Sequence, residues 1–169
     1  MIEDVKTKDL KVIPDERGFL MEMLRDDDDV FEKFGQVYMT GCGKGAAKAW
    51  HYHKKQTDHF VCVAGKSLVV LYDGRKNSPT YGEVNEFVLE APGEEYKGTE
   101  VKNYEKKGQM LLKIPKDVMH GFCAISCEES RIVNVPTYHY EYNSPDEYRF
   151  SWDGEEVPYK WPSFIKFGG

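Results

Sequence analysis

The sequence predicts an all-β fold, an antiparallel sandwich or barrel of short strands. Three observations carry this. Short runs alternate apolar and polar side chains, the period of a half-buried strand. Turns rich in Gly, Pro and Asp separate those runs. Only one stretch has helical spacing. The many aromatic residues, eleven tyrosines and nine phenylalanines, also suit pleated surfaces.

Taken in order, Leu10 to Ile13 reads as a strand closed by Pro14 and the turn DERG, and Phe19 to Leu24 as a second. In DDDDVFEKFG, aspartates precede Val30, Phe31 and Phe34, whose spacing fits one helical face, and Gly35 ends it. Acid groups favour a helix N-terminus, so a short helix is expected there, with the aspartates as a solvated cap rather than a metal site. Further strands are expected over Gln36 to Thr40, Ala46 to His53, Asp58 to Ala64, Ser67 to Tyr72, Glu86 to Leu89, Met110 to Ile114, Phe122 to Ile125 and Arg131 to Val135. The strand from Ser67 is expected to fold back on the one before it as a hairpin across Ala64, Gly65 and Lys66. The segment APGEEYKGTEVKNYEKKG reads as an exposed loop, and the Tyr-, Trp- and Pro-rich tail as short turns packed on the body.

With 169 residues and no internal repeat or linker, one domain spanning 1–169 is expected. A net charge of -6 argues against nucleic acid as a partner. No apolar run suggests a membrane, and MIEDVKTKDL has no apolar signal core, so a cytoplasmic location is expected. Cys42, Cys62, Cys123 and Cys127 lack CxxC spacing and read as reduced thiols, Cys62 as a small core residue. GCGKG lacks the full phosphate-loop pattern and a following helix.

The chemistry concentrates in GAAKAWHYHKKQTDHFVCVAG, residues 45–65. On a strand His51 and His53 share one face, and two converging imidazoles make a base, a ligand pair or a metal site. His59 breaks that alternation and reads as a surface or core residue. His139 reads as packed among tyrosines, and Trp50, Trp152 and Trp161 as core or dimer-interface aromatics.

Two patterns resemble known families. Gly45, His51, His53, Asp58 and Gly65, followed by Pro115 and His120 in IPKDVMHGF, resemble the two-part cupin signature, with Asp where glutamate is usual. DERGFLME, KAWHYH, SPTYG, IPKDVMHGF and WDG…WP lie in the order of the dTDP-4-dehydrorhamnose 3,5-epimerase (RmlC-like) family, from about Ile13 to Pro162. The resemblance implies a double-stranded β-helix, the cupin jelly roll, mostly antiparallel, with one or two short helices. It implies an epimerase or isomerase acting beside the C4 ketone of a 4-keto-6-deoxy sugar nucleotide, without a cofactor, as a homodimer. It places the base at His51, its orienting carboxylate at Asp153 and the acid at Tyr140. Substrate contacts fall at Arg17, Glu22, Lys48, His53, His120, Asn134 and Tyr138.

The departures from that family have one direction. Its lysine maps to Asp58, its catalytic tyrosine to Asn134, which cannot act as a general acid, and its glutamine two after the base to His53. Lys48 replaces an arginine and loses the bidentate fork. Together they restore the cupin ligand set His51, His53, Asp58 and His120, which suits a divalent metal. The alternatives are therefore a metal-dependent cupin acting on another small carbonyl or sugar compound, or a non-catalytic sugar-nucleotide-binding cupin.

Overall fold

A computed structural model of the chain describes residues 1–93, 104–125 and 127–169. Fourteen strands are present among them: β1 Lys6–Asp9, β2 Val12–Asp15, β3 Gly18–Met21, β4 Tyr38–Gly43, β5 Ala46–Tyr52, β6 Asp58–Ala64, β7 Lys66–Asp73, β8 Val84–Glu90, β9 Lys106–Gly108, β10 Met110–Ile114, β11 Val118–Ala124, β12 Glu129–Asn134, β13 Tyr148–Arg149 and β14 Phe167–Gly168. One sheet has the order β1-β10-β6-β12-β4; the other runs β13-β5-β11-β7-β8-β9, with β14 added to β5. β2 and β3 form a separate hairpin. Pairing is antiparallel except for β8 with β9 and β5 with β14. This is the expected jelly roll. Most of the expected loop 91–108 lies outside the described residues, which resume with the short strand β9 at its end.

Alternation fills the space between the sheets. Phe60 and Cys62 of β6, Val69 and Leu71 of β7, Met110, Leu112 and Ile114 of β10, and Phe122 and Ile132 form one buried cluster. The opposite face of β7 is covered as well. Leu68, Val70 and Tyr72 pack with Trp50, Trp152, Tyr159 and Trp161, so the aromatic tail lies over the second sheet. Burial on both faces is why KSLVVLYD reads as a nearly continuous apolar run. Cys42, Cys62 and Cys123 are buried thiols, and all four cysteines are unpaired.

Two expectations are overturned. The segment after the aspartates is not helical, and no helix occurs among the described residues. Lys8, from β1, and the adjacent Arg25 hold the aspartates instead. The Asp28 carboxylate accepts from Lys8 Nζ at 2.5 Å and from the Arg25 N–H at 2.8 Å, while Asp27 pairs with Arg25 at 2.7 Å. Phe31 N–H bonds the Asp28 carbonyl, closing a turn. The β6–β7 hairpin does not form either. β6 pairs with β10 and β12, and β7 with β11 and β8, so the chain crosses between sheets at Gly65. Gly65 has φ +66°, and a Cβ there would lie 2.5 Å from the Glu129 carbonyl oxygen.

A β-bulge sets the site. β11 pairs His120 with His51 but Phe122 with Lys48, so β5 carries one extra residue between them. Before it, Ala46 packs toward the inter-sheet core and Ala47 toward the tail. Strict alternation from there sends Trp50 inward. The bulge reverses the phase, so Trp50 packs under the tail and His51 faces the interior. Gly121 admits it, because a Cβ there would stand 2.3 Å from Ala49 Cβ and 2.8 Å from the Lys48 carbonyl.

Gly65→Ala is expected to lower stability by about 2 kcal/mol or more, from the left-handed backbone and the collision with backbone. Urea unfolding measures it; an unchanged midpoint contradicts the crossing geometry.

Candidate active site

Strand alternation brings the site residues to one end of the roll. Tyr38 and Thr40 come from β4, Lys48 and His51 from β5, Asp58 and Phe60 from β6, His120 and Phe122 from β11. A cavity of about 360 Å³ is lined by Tyr38, Thr40, Lys48, His51, Phe60, Phe122, Glu147 and Arg149, among others. A second, of about 340 Å³, shares Tyr38, His51 and Glu147 with it and adds Gln36, His53, Gln56, Tyr140 and Tyr142. His51 and Tyr38 therefore stand where the two lobes meet.

The three imidazoles converge. The ring centroids of His51 and His120 are 4.1 Å apart, and His53 lies 5.6 Å from His51 and 5.7 Å from His120. Beneath them the buried Asp58 puts Oδ2 3.5 Å from Nε2 of both His53 and His120. Its Oδ1 accepts from Gln56 Nε2 at 2.9 Å and Asn134 Nδ2 at 2.7 Å. His120 Nδ1 faces the Val118 carbonyl at 3.0 Å, and His53 Nδ1 faces the Asp146 carbonyl. A carbonyl only accepts, so both Nδ1 atoms carry the proton. The Asp146 carboxylate also accepts from the N–H groups of Lys54, Lys55 and Gln56, which anchors the turn between β5 and β6.

Burial pushes the pKa of His51 well below the ordinary imidazole value, and the neighbouring His120 and His53, Arg149 and Lys48 push it further. Burial likewise takes His120 to about 4, against the opposing pull of Asp58. Both rings are thus neutral near pH 7, the state a base or a ligand needs. Burial and the Asp58 charge raise the Tyr38 phenol to about 12, so it keeps its proton.

Not every expected residue arrives. Lys48 lines the first lobe, its ammonium donating to Thr40 Oγ1 at 2.8 Å, and Tyr140 lines the second. Asn134 lines neither lobe. Its Nδ2 serves Asp58 and, at 2.9 Å, Tyr38 Oη, and its Oδ1 accepts the His59 N–H, so its amide is spent inside the protein. Tyr138 lines neither; Lys33 Nζ sits 3.8 Å over its ring. Asp153 does not meet His51. Packing of Trp152 under the tail turns Asp153 outward, where Ser151 Oγ donates to it at 2.6 Å. Among the described residues, no hydrogen bond reaches either His51 nitrogen. Arg17 and Glu22 are exposed and paired with Asp15 and Arg25. His59 is buried on the far face of β6, between the Val135 and Val30 carbonyls, and His139 is exposed. Sequence reasoning missed Tyr38, Gln56, Asp146, Glu147 and Arg149. Tyr38 and Thr40 were recoverable from alternation in VYMTG; the tail residues had no periodic signal.

A two-sheet jelly roll with imidazoles converging at one end is a cupin. The chain belongs to the dTDP-4-dehydrorhamnose 3,5-epimerase family, whose profile matches residues 1–167. It is 40% identical over 166 residues to a Haloferax volcanii protein named "Probable low-salt glycan biosynthesis epimerase Agl13", covering 97% of each chain. It is 37% identical over 161 residues to the spore coat polysaccharide biosynthesis protein SpsL of Bacillus subtilis, covering 95% of this chain and 97% of that one. The crystal structure of a dTDP sugar isomerase from Desulfovibrio desulfuricans superposes with a TM-score of 0.81 at 29% identity, covering 95% of this chain and 92% of that one. The chain is thus a carbohydrate epimerase by family.

At neutral pH, long-range 15N–1H spectra are expected to show His120 and His53 protonated at Nδ1, with Nε2 of His120 bare. A proton found on Nε2 of His120 contradicts the hydrogen-bond assignment.

Proposed function

We propose that the chain epimerises or isomerises a 4-keto-6-deoxy sugar nucleotide at a carbon beside its C4 ketone. The observation that carries the reading is that a neutral, cavity-facing His51 and the phenol of Tyr38 both line each of the two lobes. His51 takes the proton from the carbon next to the carbonyl and becomes imidazolium. The C–H electron pair moves into the new carbon–carbon double bond, and the carbonyl pair moves onto oxygen as an enolate. A proton delivered to the opposite face then inverts the centre.

Tyr38 is the better placed donor, ahead of Tyr140. Asn134 donates to Tyr38 Oη, which leaves the phenol's own proton free for the cavity. Tyr38 and Asn134 are also directly opposite across β4 and β12. The phenol that the family resemblance places at position 134 is thus supplied from the facing position of the neighbouring strand. Tyr140 is exposed at the edge of the second lobe, suited to packing on the substrate. Lys48 and Arg149 bring positive charge to the first lobe, which suits a diphosphate.

Arg17 and Glu22 fit this reading in a homodimer. Ile13, Phe19 and Leu20 of the β2–β3 hairpin and Val37 and Met39 at the β4 edge are exposed apolar side chains, a surface that a second copy covers. The hairpin then carries Arg17 to the neighbouring cavity. Light scattering is expected to give twice the chain mass; a monomer at working concentration refutes this arrangement.

Incubation with 4-keto-6-deoxy sugar nucleotides in D2O tests the chemistry. Wild type is expected to incorporate deuterium beside the ketone. His51→Ala and Tyr38→Phe are each expected to lose roughly 100-fold or more in rate, and Tyr140→Phe less than about tenfold. Absence of exchange with every nucleotide tried overturns the function. Full activity in Tyr38→Phe overturns the acid.

A further inference from the structure

We propose that Asp146 is a positioning residue, which holds the tail wall that presents Glu147 and Arg149 to the cavity and fixes the tautomer of His53. Consecutive residues from His53 to Gln56 all bond to it. Its carboxylate accepts the N–H groups of Lys54, Lys55 and Gln56 at 3.1, 2.7 and 3.3 Å. Its carbonyl accepts from His53 Nδ1. Successive N–H groups turned to one side form a concavity that suits an anion, and a charged acceptor strengthens each bond. The turn between β5 and β6 supplies the socket, and the tail supplies the carboxylate.

The tail depends on this anchor. Among the described residues, no strand lies between β12 and β13. The first part of that stretch is tied down by bonds from the N–H groups of Val135 and Thr137 to the His59 and Thr57 carbonyls, and from Tyr140 N–H to Gln36 Oε1. Residues 141–145 are exposed. Among the described residues, the bonds of Asp146 are the only hydrogen bonds that fasten 141–147 to the protein outside the tail. Directly after it, Glu147 lines both lobes and Arg149 the first, with the two side chains joined at 2.9 Å. Tyr148 and Arg149 then pair with Tyr52 and His51 as β13, a strand of 2 residues. So short a strand has little hold of its own, and the residue before it sets where the wall stands.

Two consequences separate positioning from mere support. The first rests on the epimerase reading, in which Glu147 and Arg149 meet the substrate while His51 and Tyr38 move the protons. The longer strands β5 and β4 hold those two. Loss of Asp146 therefore weakens contacts shared by the bound substrate and the transition state, which raises KM and spares kcat. The second consequence does not need that reading. Without the Asp146 carbonyl, His53 Nδ1 loses its acceptor, while Nε2 still faces Asp58 Oδ2 at 3.5 Å. The proton then belongs on Nε2.

Deuterium incorporation into 4-keto-6-deoxy sugar nucleotides gives the rate constants, and long-range 15N–1H spectra give the tautomers. Asp146→Ala is expected to raise KM about tenfold with kcat within about twofold of wild type. Its His53 should carry the proton on Nε2, while His120, held by Val118, keeps its own on Nδ1. Asp146→Asn, with one acceptor oxygen left, should fall between. A wild-type KM in folded Asp146→Ala, or a fall in kcat alone, overturns the role in the wall. An unchanged His53 tautomer overturns the clamp. Should both variants fail to fold, amide hydrogen exchange of wild type decides. Slow exchange at Lys55 and Gln56 is expected, and exchange as fast as in an open turn overturns the clamp. Wild type that incorporates no deuterium sinks the epimerase reading alone, and the His53 spectra still judge Asp146.

Discussion

The site depends on one steric permission, the absence of a side chain at Gly121. β5 and β11 approach there too closely for a Cβ. That closeness accommodates the extra residue of β5, and the extra residue reverses which side chains face inward. Trp50 goes to the tail cluster, and His51 goes to the cavity beside His120. A strand without the bulge would bury an indole where His51 stands. The arrangement of the candidate site is therefore a property of backbone packing between two strands far apart in sequence.

The second constraint is the buried charge of Asp58. A carboxylate removed from water is tolerated only with partners on its oxygens. Gln56 and Asn134 satisfy Oδ1, while Nε2 of His53 and of His120 each lie 3.5 Å from Oδ2. This accounts for Asn134, which holds Asp58 with one hydrogen of its amide and Tyr38 with the other. Changes at positions 58, 134 and 53 relative to the family resemblance thus form one connected unit.

Much of the fold was legible in the sequence. Strands β6 and β10 fall where alternation places them, and most others differ at their ends by a few residues, but β1, β9, β13 and β14 lie in stretches where the sequence predicts no strand. The shared face of His51 and His53 and the separate fate of His59 followed from period-two reasoning. The helix after the aspartates did not follow, because Lys8 and Arg25 hold Asp27 and Asp28 in a turn. The β6–β7 hairpin failed for a related reason. A short turn at a glycine serves a hairpin and a sheet-to-sheet crossing equally, and only the available partners choose between them.

By itself the sequence determined the class of fold, the family, and a histidine-rich stretch meeting a second motif at His120. These are local patterns in a fixed order, and order survives in one dimension. Tertiary structure alone decided that Tyr38 stands opposite Asn134, that Asp146 clamps His53 from the tail, and that Asp153 faces outward. Each depends on which distant strands become neighbours, and the burial of two sheets against each other sets that.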